Sequence, residues 1–113
     1  MIAIGCDHGA LELKEQLIEH LKKRGVECEE GILLCGTGIG MSMAANKIKG
    51  IRAALCSDCF SAQATKEHNN ANVLCMGARV IGPELAFRIA DTFLDSKFSN
   101  DERHIRRISM LED

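Results

Sequence analysis

Three glycines at alternate positions follow one short apolar run and a cysteine: Gly31-Ile-Leu-Leu-Cys35-Gly36-Thr37-Gly38-Ile39-Gly40-Met41-Ser42. Ile32 to Leu34 is too short for a helix and is bounded by glycine, so it reads as a buried strand ending at Cys35. The alternate glycines suit a backbone that turns tightly and brings bare N–H groups to a ligand. The composition of Met41 to Ile48 is helical. A strand, a glycine loop and a helix start form an anion site, because the first helical N–H groups lack partners and the dipole there is positive. Cys35 stands at its lip.

The spacing excludes several phosphate loops. It is not G-x-G-x-x-G, and no Gly-Lys-Ser/Thr follows. A cysteine loop that grips phosphate with a bidentate arginine needs that arginine about six residues on, where Met41 stands. With 14 basic and 16 acidic side chains the formal charge is −2, which gives no general attraction to nucleic acid or an anionic membrane. Small ligands or protein partners are expected. No apolar run could span a bilayer and Met1-Ile-Ala-Ile-Gly5 is unlike a signal peptide, so the expected location is cytoplasmic. The 113 residues imply one domain over 1–113. Without a secretory signal, the six cysteines read as reduced thiols. The lone Cys56-Ser-Asp-Cys59 pair is weak support for a metal or redox centre.

Periodicity places the other elements. Ile2 to Gly5 is a strand followed by Cys6-Asp7-His8-Gly9, polar residues where an open α/β sheet puts its ligands. Leu13, Leu17 and Leu21 mark an amphipathic helix over Leu11 to Arg24, with Gly25 as its cap. Val26 to Glu29 reads as a second strand and Ile32 to Cys35 as a third. Ile51 to Cys56 and Val73 to Met76 are further strands, and Ser61 to Glu67 a short helix. His68-Asn-Asn-Ala-Asn72 is a polar turn. Glu84 to Leu94 is a helix opened by Pro83, with Leu85, Ile89 and Phe93 as its buried stripe. A last helix covers Asp101 to Leu111 and sets Arg103 and Arg107 on one face, beside His104 and Arg106. Such alternation implies an α/β fold, a three-layer doubly wound parallel sheet of Rossmann or flavodoxin type with right-handed crossovers. Asp7, His8, Cys35 and Asp58 would then share the rim at the strands' carboxyl ends.

Six stretches in this order resemble the ribose-5-phosphate isomerase B family: Gly5-Cys-Asp-His8, Cys35-Gly-Thr-Gly-Ile-Gly40, Ala44-Ala-Asn-Lys47, His68-Asn-Asn-Ala-Asn-Val73, Gly77-Ala-Arg-Val-Ile-Gly82 and Arg103-His-Ile-Arg-Arg107. That family also takes in allose-6-phosphate and galactose-6-phosphate isomerases. The resemblance implies interconversion of ribose 5-phosphate and ribulose 5-phosphate through an enediolate, as in the pentose phosphate pathway, without metal or organic cofactor. It implies Cys35 as the base, with Thr37 relaying a proton between sugar oxygens and His68 opening the ring with help from Asp7. The amides of Gly36, Thr37, Gly38, Ile39 and Gly40 would hold the oxyanion. His8, Arg103 and Arg107 would bind chiefly phosphate, with Asn69 on the sugar and Arg79 also on substrate. A homodimer or dimer of dimers, with sites shared between subunits, is implied too. A lesser resemblance links the Cys-Gly-Thr-Gly loop to the IIB domains of sugar phosphotransferase systems, implying a phosphocysteine carrier.

One departure stands out. Only Glu30 and Gly31 separate two strand candidates, whereas parallel neighbours need a crossover of a dozen or more residues. The family pattern carries about thirty more residues here, room for a strand and a crossover, including an Asp-Tyr-Pro stretch; this chain has no tyrosine. The expectation is an apparent missing segment between Glu30 and Gly31. If a natural or engineered deletion removed it, their alpha carbons lie about 3.8 Å apart as in any continuous chain; if the residues are merely omitted, the favoured reading, they lie much further apart.

Overall fold

A computed structural model describes residues 2–7, 10–24 and 30–112. The elements run β1 (Ile2–Cys6), α1 (Leu11–Arg24), β2 (Glu30–Cys35), α2 (Ile39–Ala45), β3 (Ala53–Leu55), α3 (Cys59–Asn69), β4 (Val73–Gly77), α4 (Pro83–Asp95) and α5 (Glu102–Glu112). All strand pairs are parallel, in the order β1-β2-β4-β3. The central strand β4 is apolar along its length because both its faces are covered, whereas β2 is buried at Ile32, Leu34 and Cys35. Val73 to Gly77 is buried throughout.

No open break separates Glu30 from Gly31. Glu30 and Gly31 are consecutive residues of β2, paired with Ile2 and Ala3 of β1, so the chain runs through without a break. The separate strand expected over 26–29 lies outside the described residues. The expected third strand is β2, which begins at Glu30, and α1 lies between β1 and β2 in the chain.

Side chains alternate across the sheet. Ile32, Leu34, Leu74 and Met76 point to one face and are fully buried with Leu17, Ile89 and Phe93. Helix α4 packs against both α1 and α3, so these three helices share that face. His20 ties α1 to α4, with Nε2 2.9 Å from the Asp91 carboxylate and its ring stacked on Phe87 at 4.5 Å. On the opposite face α2 rests on β2, β3 and β4. There Leu33 and Val73 line a groove of about 910 Å³ with Ala44 and Ala45 of α2.

These placements fix the hand of each crossover. The steps β1→β2 and β2→β3 go the same way along the sheet, whereas β3→β4 steps back. Opposite steps with helices on opposite faces have the same hand, which holds for α2 and α3. Helix α1 shares α3's face yet makes the opposite step. Right-handed crossovers account for about 98% of such units; with α2 and α3 right-handed, β1-α1-β2 is left-handed. This departs from the expectation that every crossover is right-handed.

Three helices differ from expectation in detail. Leu85 is exposed, and the buried stripe of α4 is Ala86, Ile89, Ala90 and Phe93, because α1 and α3 flank that side. Helix α2 begins at Ile39 and ends at Ala45, leaving Ile48 and Ala44 exposed. Helix α3 begins at Cys59, since Asp58 accepts the Ser61 N–H at 2.7 Å as its N-cap. It continues through His68 and Asn69 and ends at Asn70, which has φ of 49°. The expected turn therefore starts two residues late.

A buried ion pair pins the start of β2 to α3. Lys66 Nζ donates to the Glu30 carboxylate and, at 3.0 Å, to the Phe93 carbonyl, and it lies 4.1 Å from the Phe93 ring centroid. Both side chains of the pair are nearly buried, so removing one partner strands a charge. Glu30→Ala is expected to cost about 3–5 kcal/mol in denaturant unfolding. Replacing both, Glu30→Leu with Lys66→Met, should recover most of that loss.

Candidate active site

At the carboxyl end of β2 the chain leaves the sheet at Cys35, which is buried. The backbone turns through Gly36, Thr37 and Gly38, the last at φ of 82°, a conformation that favours glycine. This turn brings the Gly38 N–H to 3.0 Å from Cys35 Sγ, where it donates a hydrogen bond. Thr37 is exposed above it, and its Oγ1 accepts the Ile39 N–H at 3.3 Å. Ile39 and Gly40 belong to α2, so the loop proper is shorter than the sequence suggests.

The next strand positions the loop. A Cβ on Gly77 would lie 2.6 Å from the Thr37 carbonyl carbon and oxygen, so the two backbones touch and an alanine there would displace the loop. Ala78 N–H donates to the Cys35 carbonyl at 2.8 Å and Arg79 N–H to the Gly36 carbonyl at 3.0 Å. These bonds carry Arg79 alongside the loop: a Cβ on Gly36 would meet its Cδ and Nε at 3.6 Å. Asp7, exposed at the end of β1, donates its backbone N–H to the Leu34 carbonyl at 3.0 Å. Asp7 and Cys35 thus share one rim, as expected, and Thr37 and Arg79 stand beside them. Asp58 is on that rim but is occupied with capping α3. The hydrogen bonds from Ser61 hold its carboxyl below the usual range. His8 lies outside the described residues.

The other expected residues are elsewhere. Asn70 accepts from Arg52 Nε at 3.0 Å, and Arg52 precedes β3, so the end of α3 sits at the opposite rim. His68 and Asn69 are therefore separated from Cys35 by nearly the length of an 11-residue helix, about 16 Å. Helix α5 packs against α3 and adds Arg103 and Arg107, both exposed. Arg103 lies 3.8 Å from Asp101. Asn69 lines a cavity of about 760 Å³ with Arg52 and Thr65. Within one chain the thiol loop lies on one rim and a cluster of histidine and arginine on the other.

Sequence patterns gave little sign of His104. It is buried on the inner face of α5 with its ring 4.7 Å from that of His68. Burial first, then the neighbouring His68 and Arg103, push its imidazole below its ordinary pKa. A polar residue on the buried side of a helix breaks no apolar stripe, so only its place beside Arg103 hinted at a role.

Among the described residues no cluster of three or more His, Cys, Asp or Glu could hold a metal ion, and no helix is long and apolar enough to cross a membrane.

The fold and its thiol loop define an α/β protein of the sugar-isomerase class. The chain belongs to the Ribose/Galactose Isomerase family, whose profile matches residues 26–111. It is similar to ribose-5-phosphate isomerase B of Escherichia coli (strain K12), with 39% identity covering 97% of this chain and 93% of that one. It is also similar to the D-erythrulose-4-phosphate isomerase of Pectobacterium atrosepticum, with 41% identity covering 86% of this chain and 84% of the relative. The solved ribose 5-phosphate isomerase of Thermotoga maritima superposes with a TM-score of 0.94 at 42% identity, covering 98% of this chain and 96% of that one. The Escherichia coli alignment runs to 139 residues against 113 here, so it spans positions at which this chain has no residue.

Two buried thiols near the loop make stability depend on alkaline pH. Burial pushes Cys75 up to about 12, helped by Cys35 and Cys56, and pushes Cys56 up to about 11. In the unfolded chain both return towards 9.0. Their contribution is then fully present below pH 9 and is lost as pH rises through 11 to 12. The denaturant midpoint should fall over that range, and Cys75→Ala should make the fall shallower.

Proposed function

We propose that this chain, acting as a single domain over residues 1–113, is an aldose-ketose isomerase that interconverts ribose 5-phosphate and ribulose 5-phosphate. The observation that carries the reading is the Cys35 sulfur, which receives the Gly38 N–H at the mouth of a glycine loop beside a guanidinium. A thiolate so placed can take the proton from C2 of the opened aldose. Negative charge then develops on O1, where the loop amides stabilise it. Thr37 passes the O2 proton to O1, and the thiol returns its proton to C1 to complete the ketose.

Ring opening comes first. An imidazole accepts the proton of the anomeric hydroxyl, the bond from C1 to the ring oxygen breaks, and the imidazole returns the proton to that oxygen. His68 has this role, with Asp7 assisting. Asn69 binds the sugar, Arg79 orients the substrate, and His8, Arg103 and Arg107 bind phosphate. No metal or organic cofactor enters the scheme.

The two half-sites lie on opposite rims, so the complete site joins the Cys35 loop of one subunit to His68, Arg103 and Arg107 of the partner subunit. A homodimer, alone or paired into a dimer of dimers, follows from this reading. Exposed Ile39 and Met43 beside the loop, and Phe60 at the start of α3, give such contacts an apolar surface. The cellular setting is cytoplasmic sugar-phosphate metabolism of the pentose phosphate type. A phosphocysteine carrier is less favoured, because its thiol must meet a protein donor, whereas Cys35 is only 7% exposed.

Isomerase assays with five- and six-carbon aldose phosphates test the activity. Cys35→Ala should abolish turnover while phosphate binding, read by calorimetry, stays close to wild type. Loss of both together would argue against its role as base. Mixing inactive Cys35→Ala with inactive His68→Asn should restore about a quarter of wild-type activity, since half of the randomly formed dimers carry one intact site. No recovery after verified subunit exchange would contradict a shared site.

A further inference from the structure

We propose that Ser99 and His104 form a hydrogen-bonded support that holds the His68 ring in position for opening the sugar; the inference rests on the function proposed above. His68 is exposed at the end of α3, and its ring has His104 as a tilted neighbour, 34° between planes, rising from α5. His104 is itself fixed. Its Nδ1 lies 2.7 Å from Ser99 Oγ, and that oxygen accepts the Asp101 N–H at 3.1 Å. Both contacts are satisfied when the Ser99 hydroxyl donates to Nδ1 and the single proton of the neutral ring is on Nε2. Ser99 is anchored in turn, because its own N–H donates to the Glu67 carbonyl at 3.0 Å, one residue before His68. The support therefore closes on the backbone that carries the ring it steadies.

The charges around His104 suit that role. His68 faces it from α3, while Arg103, Arg107 and Asp101 surround it from α5 and the preceding loop. An imidazolium at His104 would be poorly solvated and would meet the guanidiniums of Arg103 and Arg107, so His104 supports as a neutral ring. Ser99 and His104 are positioning residues, acting on substrate through His68.

The test separates ring opening from proton transfer. Ribose 5-phosphate is largely a furanose and must be opened. Ribulose 5-phosphate has O5 esterified and cannot close a five-membered ring, so wash-in of solvent deuterium at its C1 bypasses ring opening and with it the His68 ring. Ser99→Ala should slow turnover of ribose 5-phosphate at least about tenfold, a part of the ~10²–10⁴ that positioned acid–base groups supply. Deuterium wash-in should stay within about twofold of wild type, and Ser99→Thr, which keeps the hydroxyl, should restore turnover. His104→Gln should show the same split, and Ser99→Ala serves alone if that variant fails to fold. Equal loss of turnover and wash-in, or no change in either, would overturn the support. A wild-type protein that performs neither reaction would overturn the isomerase reading itself, and this inference with it.

Discussion

The contact between the backbones of Gly77 and Thr37 fixes the thiol loop. No side chain intervenes, so the loop's height above the sheet follows from strand geometry rather than from rotamers. The β2–β4 pairing, with Leu34 opposite Met76 and Cys35 opposite Gly77, sets where the sulfur leaves the sheet. The amide bonds from Ala78 and Arg79 then draw a cation to the same place. Gly38 completes the arrangement by taking a left-handed conformation and turning its N–H back on Cys35. Rigid positioning of this kind is what proton abstraction next to a carbonyl requires.

Much of this was legible in the residues and their order. Ile32 to Leu34 and Val73 to Met76 declared themselves as strands because each is a short unbroken apolar run bounded by turn-forming residues, and Pro83 marked the start of α4. The loop around Cys35 was legible because few structures besides a tight turn at a ligand need glycines at alternate positions. Leu85 misled because periodicity shows that a helix has an apolar side but not which neighbours cover its margin. The start of α3 was missed since Asp58 reads equally well as a ligand and as a cap. The distance between Cys35 and His68 could not be read at all, for sequence motifs carry no information on which rim of a sheet they occupy.

The left-handed β1-α1-β2 unit bears on the junction at Glu30. A strand and helix inserted between α1 and β2 would let α1 step outward from β1 with the usual hand, and the return helix would cover the groove along Leu33. Relatives align over more positions than this chain possesses, which accords with such a unit being absent here. The Lys66–Glu30 pair then has a clear structural task. It clamps the first residue of β2 to α3.

Placing a thiol and an imidazole at opposite ends of the same sheet also has a kinetic consequence. If the working site spans two copies, catalytic output per chain is not a constant of the fold but depends on encounters between chains. Dilution would silence the protein without unfolding it.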